Sequence, residues 1–112
     1  MVMNAHDAST DLLFRALADP TRRAIFQRLA QTGEQTVRTL TEGSGVSQPA
    51  VSKHLALLKQ AALVEGRRQG RDVHYRARGE ALAPLVDWLE HYATFWRERF
   101  DRLEDLLNRM DQ

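Results

Sequence analysis

At 112 residues, with 43% hydrophobic and 28% charged side chains, the chain is long enough for one modest core and too short for a catalytic domain with a second module. It contains no cysteine, which excludes disulfides, thiolate metal sites, iron–sulfur ligation and thiol nucleophiles within the chain. The formal net charge is only +1 and no apolar run has the length a bilayer requires, so residues 1–112 are expected to form a single soluble domain without a membrane partner.

Met1 to Asp7 have neither a basic head nor a hydrophobic centre, so no secretory signal is expected and the cytoplasm is the default location. Residues 1–8 are expected to be a flexible tail, 10–78 the folded core and 80–110 a long closing helix. From Thr10 onward Leu12, Leu13, Phe14, Leu17 and Ala18 recur at helical spacing, and the pattern halts at Asp19-Pro20, because proline disfavours helical geometry in the residue before it. Asp19 then suits the N-cap of a second helix with Pro20 in its first position, carrying Ile25, Phe26 and Leu29 and ending at Gly33. Thr36 can cap a short third helix with Val37 and Leu40, broken by Gly43-Ser44-Gly45.

Ser47 is the N-cap candidate for a fourth helix, and Pro49 falls in the first turn, where a missing N–H is harmless. At about 100° per residue, Val51, Leu55, Leu58 and Ala62 share one face. Gln48, Ser52, Lys53, Ala56, Lys59 and Gln60 occupy the other. Downstream, Leu63 to Arg68 and Asp72 to Arg76 flank Gln69-Gly70-Arg71, the spacing of a β-hairpin with glycine in its turn. From Glu80 to the end, Leu82, Leu85, Leu89, Tyr92, Trp96, Phe100, Leu103, Leu107 and Met110 recur every three or four residues among charged positions. That predicts one long amphipathic helix with Pro84 near its start. The expected fold is therefore mainly α with a small β-hairpin: a winged helix-turn-helix closed by a long C-terminal dimerisation helix.

Charge is segregated along this plan. Residues 47–78 hold seven bases against two acids, a net of +5, whereas residues 80–112 hold four bases against eight acids, a net of −4. The local field, not the mean, is what meets phosphate. A major groove about 12 Å wide accepts a helix, whose N-terminal turns read bases through short polar or forked side chains. Gln48, Ser52 and Lys53 stand in those turns as base-reading candidates, while Ser47 and Lys59 are placed to meet the backbone. Arg67, Arg68 and Arg71, near the hairpin tip, are candidates for the flanking phosphates. One copy would reach only a half-site. The apolar residues Leu12 and Leu13 of the first helix, with Leu89, Tyr92, Trp96, Phe100 and Leu103 of the last, exceed what a small core can cover. They are expected to bury against a second copy, setting two reading helices about a two-fold axis on double-stranded DNA. Trp88 and Phe95 fall off that stripe and need a second surface or stay exposed.

Phe14-Arg15-Ala16-Leu17-Ala18-Asp19-Pro20-Thr21-Arg22-Arg23, then Val46-Ser47-Gln48-Pro49-Ala50-Val51-Ser52-Lys53-His54-Leu55, then Leu63-Val64 with its basic wing, together resemble the ArsR/SmtB family of dimeric bacterial winged-helix repressors. The resemblance implies an operator-binding homodimer with the first and last helices as its interface and the helix from Ser47 to about Gln60 as the reader. The family's thiolate site would fall at Thr36, Val37 and Arg38, none of them a soft ligand. Its other frequent site would draw on Asp87, Glu90, His91 and Glu98, which offer one histidine and the wrong spacing, so no metal is expected. The long aromatic tail looks like a subgroup without the metal box, which implies autorepression or control of a neighbouring gene, with no cofactor and an inducer that stays unknown.

Two other function classes compete. An enzyme would need a nucleophile and base held in a cleft, but Ser47 is better used as a cap and His54 points away from Ser52 on the helical wheel. The stronger rival is a winged-helix protein-interaction module that docks a partner through the long C-terminal helix.

Overall fold

The computed structural model describes residues 5–111. In chain order the elements are α1 (Ala5–Ala18), α2 (Pro20–Thr32), β1 (Gln35–Thr36), α3 (Val37–Thr41), α4 (Gln48–Gln60), β2 (Val64–Gln69) and β3 (Asp72–Ala77). A 3-10 turn (Gly79–Leu82) then leads into α5 (Ala83–Met110). Of the expected tail, residues 1–4 lie outside the described residues; from Ala5 on the chain is already helical, so α1 starts earlier than its apolar spacing suggested.

Local chemistry explains most of the boundaries. The Asp19 carboxylate accepts from the amides of Thr21 (2.7 Å) and Arg22 (3.2 Å), satisfying two donors that the first turn of α2 leaves unpaired. The Arg22 amide foremost, aided by that of Thr21 and by nearby positive charge, outweighs partial desolvation and holds this carboxyl below its ordinary 3.8. The arginines that follow turn back onto the end of α1. Arg22 Nε donates to the Ala16 carbonyl (2.7 Å) and its Nη2 to that of Arg15 (3.0 Å), while Arg23 Nη1 donates to Leu17 (2.6 Å) and Ala18 (3.1 Å). The carbonyls at the negative end of one helix are thus satisfied by cations from the first turns of the next. Arg28 does the same for α3, donating to the carbonyls of Thr39 (2.8 Å), Leu40 (3.1 Å) and Glu42 (2.8 Å).

The core draws on every helix except α5. Leu13 and Ala16 of α1, Ile25 and Leu29 of α2, Leu40 of α3, Val51, Leu55 and Leu58 of α4, and Leu63 and Val64 at the entry to β2 form one buried cluster. Full burial of each leucine contributes about 1.5–3 kcal/mol. Leu13 therefore departs from its expected place in a subunit interface: at 2% exposure it is spent inside its own subunit, one position round the helix from the exposed Leu12.

The hairpin forms the centre and one edge of an antiparallel sheet ordered β1-β3-β2. The pairing Gln69↔Asp72 leaves a two-residue turn in which Gly70 has a φ of 64° and Arg71 is not left-handed, the sign pattern of a type II′ turn. The short β1, which its two residues could not signal from composition, pairs Gln35↔Tyr75 and Thr36↔His74. Gly66 sits in close quarters: a Cβ there would stand 3.1 Å from Tyr75 Cε1 and from Val73 Cγ1, so that one of those side chains would have to shift by a few tenths of an ångström.

At the end of α4 the expected helical position of Ala62 is not found. The Ala62 amide donates to the Lys59 carbonyl (2.9 Å) and the Leu63 amide to that of Leu58 (3.0 Å), the paired bonds of a Schellman motif. The residue at its left-handed position is Ala62, with a φ of 61°, where glycine is the usual occupant. Ala62 is exposed, while Leu63 turns fully inward.

α5 is different in kind. Its 28 residues extend about 42 Å, and none of them is buried. Its start packs on α1, where Trp88 meets Phe14 edge to face at 5.1 Å and leans on Tyr92 at 4.6 Å. The second surface that Trp88 needs is therefore α1 of the same chain. Beyond that contact α5 projects outward: the radius of gyration is 19.3 Å, against about 13 Å for a compact chain of this length.

Relieving the left-handed alanine has a measurable consequence. Ala62→Gly removes a strain of about 1–2 kcal/mol and gives back about 0.4–1 kcal/mol through the looser unfolded chain. A net gain of roughly 0.5–1 kcal/mol is expected, seen in thermal unfolding as a rise of a few degrees in Tm; a fall would contradict the Schellman assignment.

Candidate nucleic-acid interface

The turn Gly43-Ser44-Gly45 sets the angle between α3 and α4. Gly43 and Gly45 have φ values of 79° and 77°, conformations that suit glycine. Between them Ser44 Oγ donates to the Thr41 carbonyl (2.8 Å) and accepts from the Val46 amide (3.2 Å). Ser47 then caps α4 as expected, its Oγ accepting from the Ala50 amide at 3.3 Å. The hydroxyl proton of that serine remains able to donate outward.

α4 is divided along its length. Val51, Leu55 and Leu58 are fully buried, whereas Gln48, Ser52, Lys53, Lys59 and Gln60 are exposed. Among the described residues neither Lys53 nor Lys59 has an ion-pair partner. His54 is half-buried beside the inner face, its Nδ1 enclosed and without a hydrogen-bond partner among the described residues.

The wing arginines separate into two kinds. Arg67 is engaged: its Nη2 and Nε donate to Glu34 Oε1 at 2.9 and 3.3 Å. Arg68 and Arg71 are exposed and without an acidic partner among the described residues. Nearer the base of the hairpin, Glu65 pairs with Arg76 and, at 3.8 Å, with Arg78, which also donates to Glu80 at 3.0 Å. Glu80's own backbone amide, then Arg78, holds that carboxyl below its ordinary 4.5. Sequence alone did not reveal the Glu34–Arg67 pair, because Glu34 lies 33 residues away and no periodic pattern joins the two.

On the opposite part of the molecule, Leu12, Leu89, Tyr92, Trp96, Phe100 and Leu103 all stand out at between 42% and 63% exposure. Phe14, Val86, Phe95, Leu106, Leu107 and Met110 extend this surface. Phe95 makes its own arrangements, lying edge-on to Trp96 at 5.5 Å with the Arg99 guanidinium 4.1 Å over its ring. Among the described residues no three histidine, aspartate or glutamate side chains gather into a metal site. Among the described residues no helix is long and apolar enough to cross a membrane.

A family model described as a helix-turn-helix domain matches residues 17–67, which take in α2, α3, α4 and most of β2. The chain is 32% identical over 80 residues to the transcriptional repressor SdpR of Bacillus subtilis, covering 71% of this chain and 88% of that one. It is also 45% identical over 80 residues to the SmtB repressor of Mycobacterium tuberculosis, covering 71% of this chain but only 58% of that repressor's length. The chain belongs to the ArsR/SmtB family. Among solved structures it is similar to the homodimeric winged helix-turn-helix DNA-binding domain (fragment 1–100) of a possible ArsR-family regulator from Mycobacterium bovis. There the TM-score is 0.63 at 31% identity, with 87% of this chain and 93% of that one covered. The ArsR/SmtB relatives are transcriptional regulators rather than enzymes.

Capping and contact at Ser47 can be separated. Ser47→Ala should cost about 1 kcal/mol of stability and lower Tm by several degrees. Ser47→Asp keeps the cap and should leave Tm near the original while placing a negative charge at the helix N-terminus. Calorimetry of both proteins checks this, and equal losses would remove the cap from the account.

Proposed function

We propose that this ArsR/SmtB-family protein is a homodimeric repressor that binds a two-fold symmetric operator in double-stranded DNA, in the cytoplasm, with no thiolate metal sensor and no cofactor. The observation that carries the reading is the division of α4. Three fully buried apolar residues hold one face down, so that Gln48, Ser52 and Lys53 project from the first turns of the other. In this reading those three side chains meet base edges: glutamine can bond to adenine through two atoms, and lysine can donate to guanine. Ser47, at the positive end of α4, and Lys59 meet phosphate. Arg68 and Arg71, uncompensated at the wing tip, supply sequence-independent affinity.

The dimer reading is supported by surface area. The chain exposes 8312 Å², whereas a compact monomer of this mass exposes about 6,300 Å². α5, in which no residue is buried, contributes to that excess, and with α1 it presents a set of half-exposed large apolar residues. It exceeds the ~800 Å² per partner of a standard interface, enough for two copies to associate through these helices. Two relatives are named as repressors of mercury and arsenical resistance operons; this chain, with no cysteine, has no thiolate to offer such an ion.

Binding is tested by fluorescence anisotropy against the DNA upstream of the protein's own gene and against a random duplex. Replacing Arg68 and Arg71 together with Gln should weaken both complexes alike and reduce the salt slope by up to about 2. Gln48→Ala should instead narrow the gap between the two duplexes, about 1–3 kcal/mol of discrimination being at stake for a bidentate contact. An unchanged gap would take Gln48 out of the readout. Dimerisation is tested by sedimentation of Trp96→Ala/Phe100→Ala, which should shift the protein to monomer at micromolar concentration. An undiminished dimer would sink the assignment of α5.

A further inference from the structure

We propose that Glu34 is a positioning residue for the wing: it holds Arg67 off the DNA backbone and so lowers affinity for DNA of any sequence. The inference rests on the DNA-binding reading above and adds a residue to it.

Arg67 lies on β2 opposite His74 of β3, and β1 runs along the far side of β3. Glu34 immediately precedes β1. The guanidinium therefore reaches across the middle strand to the carboxylate, placing two N–H groups, at 2.9 and 3.3 Å, on the single oxygen Oε1. Alternation along β2 puts Arg67 on the same side as Glu65, whose carboxylate is paired with Arg76, and puts Arg68 on the other side. The Glu65 side of the sheet carries an open groove of about 440 Å³ lined by Glu34, Glu65, Gly66, Arg67 and Arg76. Its two arginines and two carboxylates cancel in pairs, while Arg68 and Arg71 keep their full charge.

The Arg67 side chain is 64% exposed and that of Glu34 32%. An exposed pair of this kind is weak in itself, so it does not lock the arginine. It sets a competition. A phosphate can take the Nε–Nη2 edge of Arg67 only by displacing Glu34, and at the remaining Nη1 donors it must stand close to the same carboxylate, a like charge that repels it. The Gln35↔Tyr75 and Thr36↔His74 pairing of β1 anchors the backbone next to Glu34, which keeps the acid beside the wing. Glu65, by contrast, is occupied by both Arg76 and Arg78 at the base of the hairpin. Glu34 has Arg67 as its one ion-pair partner among the described residues, which makes it the acid whose removal frees a wing arginine.

The test is anisotropy of the full chain with a random-sequence duplex over a series of salt concentrations, for the wild type, Glu34→Gln, Arg67→Gln and the double variant. Glu34→Gln should tighten binding about threefold to tenfold at low salt and steepen the log–log salt slope by about 0.9, the signature of one added phosphate contact. Arg67→Gln alone should leave the slope unchanged, and in the double variant it should abolish the gain. An unchanged slope in Glu34→Gln overturns the proposal, as does a gain that survives the loss of Arg67, since the acid would then act through the general field alone. A lowered Tm with an unaltered slope would reduce Glu34 to a structural ion pair and also overturn it. If the wild type bound no duplex at any salt concentration, the DNA-binding reading itself would fall; wild-type binding with a neutral Glu34→Gln would remove only this inference.

Discussion

The whole exposed face of α4 in the candidate interface depends on the burial of Val51, Leu55 and Leu58. Three side chains at helical spacing, each removed completely from water, leave α4 no freedom to roll about its axis. A rotation of even one residue step would expose a leucine and drive Ser52 or Lys53 inward, at the cost of an unpaired buried polar group. The orientation of Gln48, Ser52 and Lys53 is therefore a consequence of core packing rather than of any contact they make themselves. The arginine clasps add a second constraint. Arg22 and Arg23 tie α2 to the end of α1, and Arg28 ties it to the end of α3, so the elements behind α4 share one frame.

What could be read from sequence was whatever is local. Asp19, Thr36 and Ser47 identify themselves as caps because a cap needs only the next two or three amides, and all three accept from them in the structure. Gly70 identifies the hairpin because a two-residue turn demands a positive φ. The apolar repeat of α5 was legible for the same reason: it is a property of consecutive turns. Tertiary facts escaped. That Arg22, Arg23 and Arg28 serve carbonyls of neighbouring helices depends on which helix ends come together. Two-residue β1 has too little pattern to announce itself, and it exists because β3 offers an edge. Leu12 and Leu13 looked equivalent as apolar neighbours, and only the packed helix shows that one faces the core and the other does not. Ala62 continued the stripe of α4 on a helical wheel, but the wheel has no means of showing where the helix stops.

The candidate interface divides in the same way. Its α4 members follow from periodicity, since a polar face is whatever the apolar face leaves over. The wing members do not, because three arginines within five positions look alike until the sheet separates them. Alternation sends Arg67 and Arg68 to opposite sides, and a strand two places away supplies an acid to only one. α5 is a case where the periodic signal was complete and the single chain still cannot satisfy it. Apart from Leu85 against the core and Phe14 on Trp88, most of its large apolar residues stay half-exposed, the kind of patch that marks an interaction surface.

The passage from α4 to β2 takes only three residues, Ala61 to Leu63, pinned by two crossed amide bonds and a fully enclosed leucine. With no slack at this elbow, the helix and the wing are the two jaws of a rigid caliper whose gape is set once the chain has folded. A signal that loosens such a protein from its target has little to gain by spreading the jaws. In the homodimer proposed above it would have to move each caliper whole.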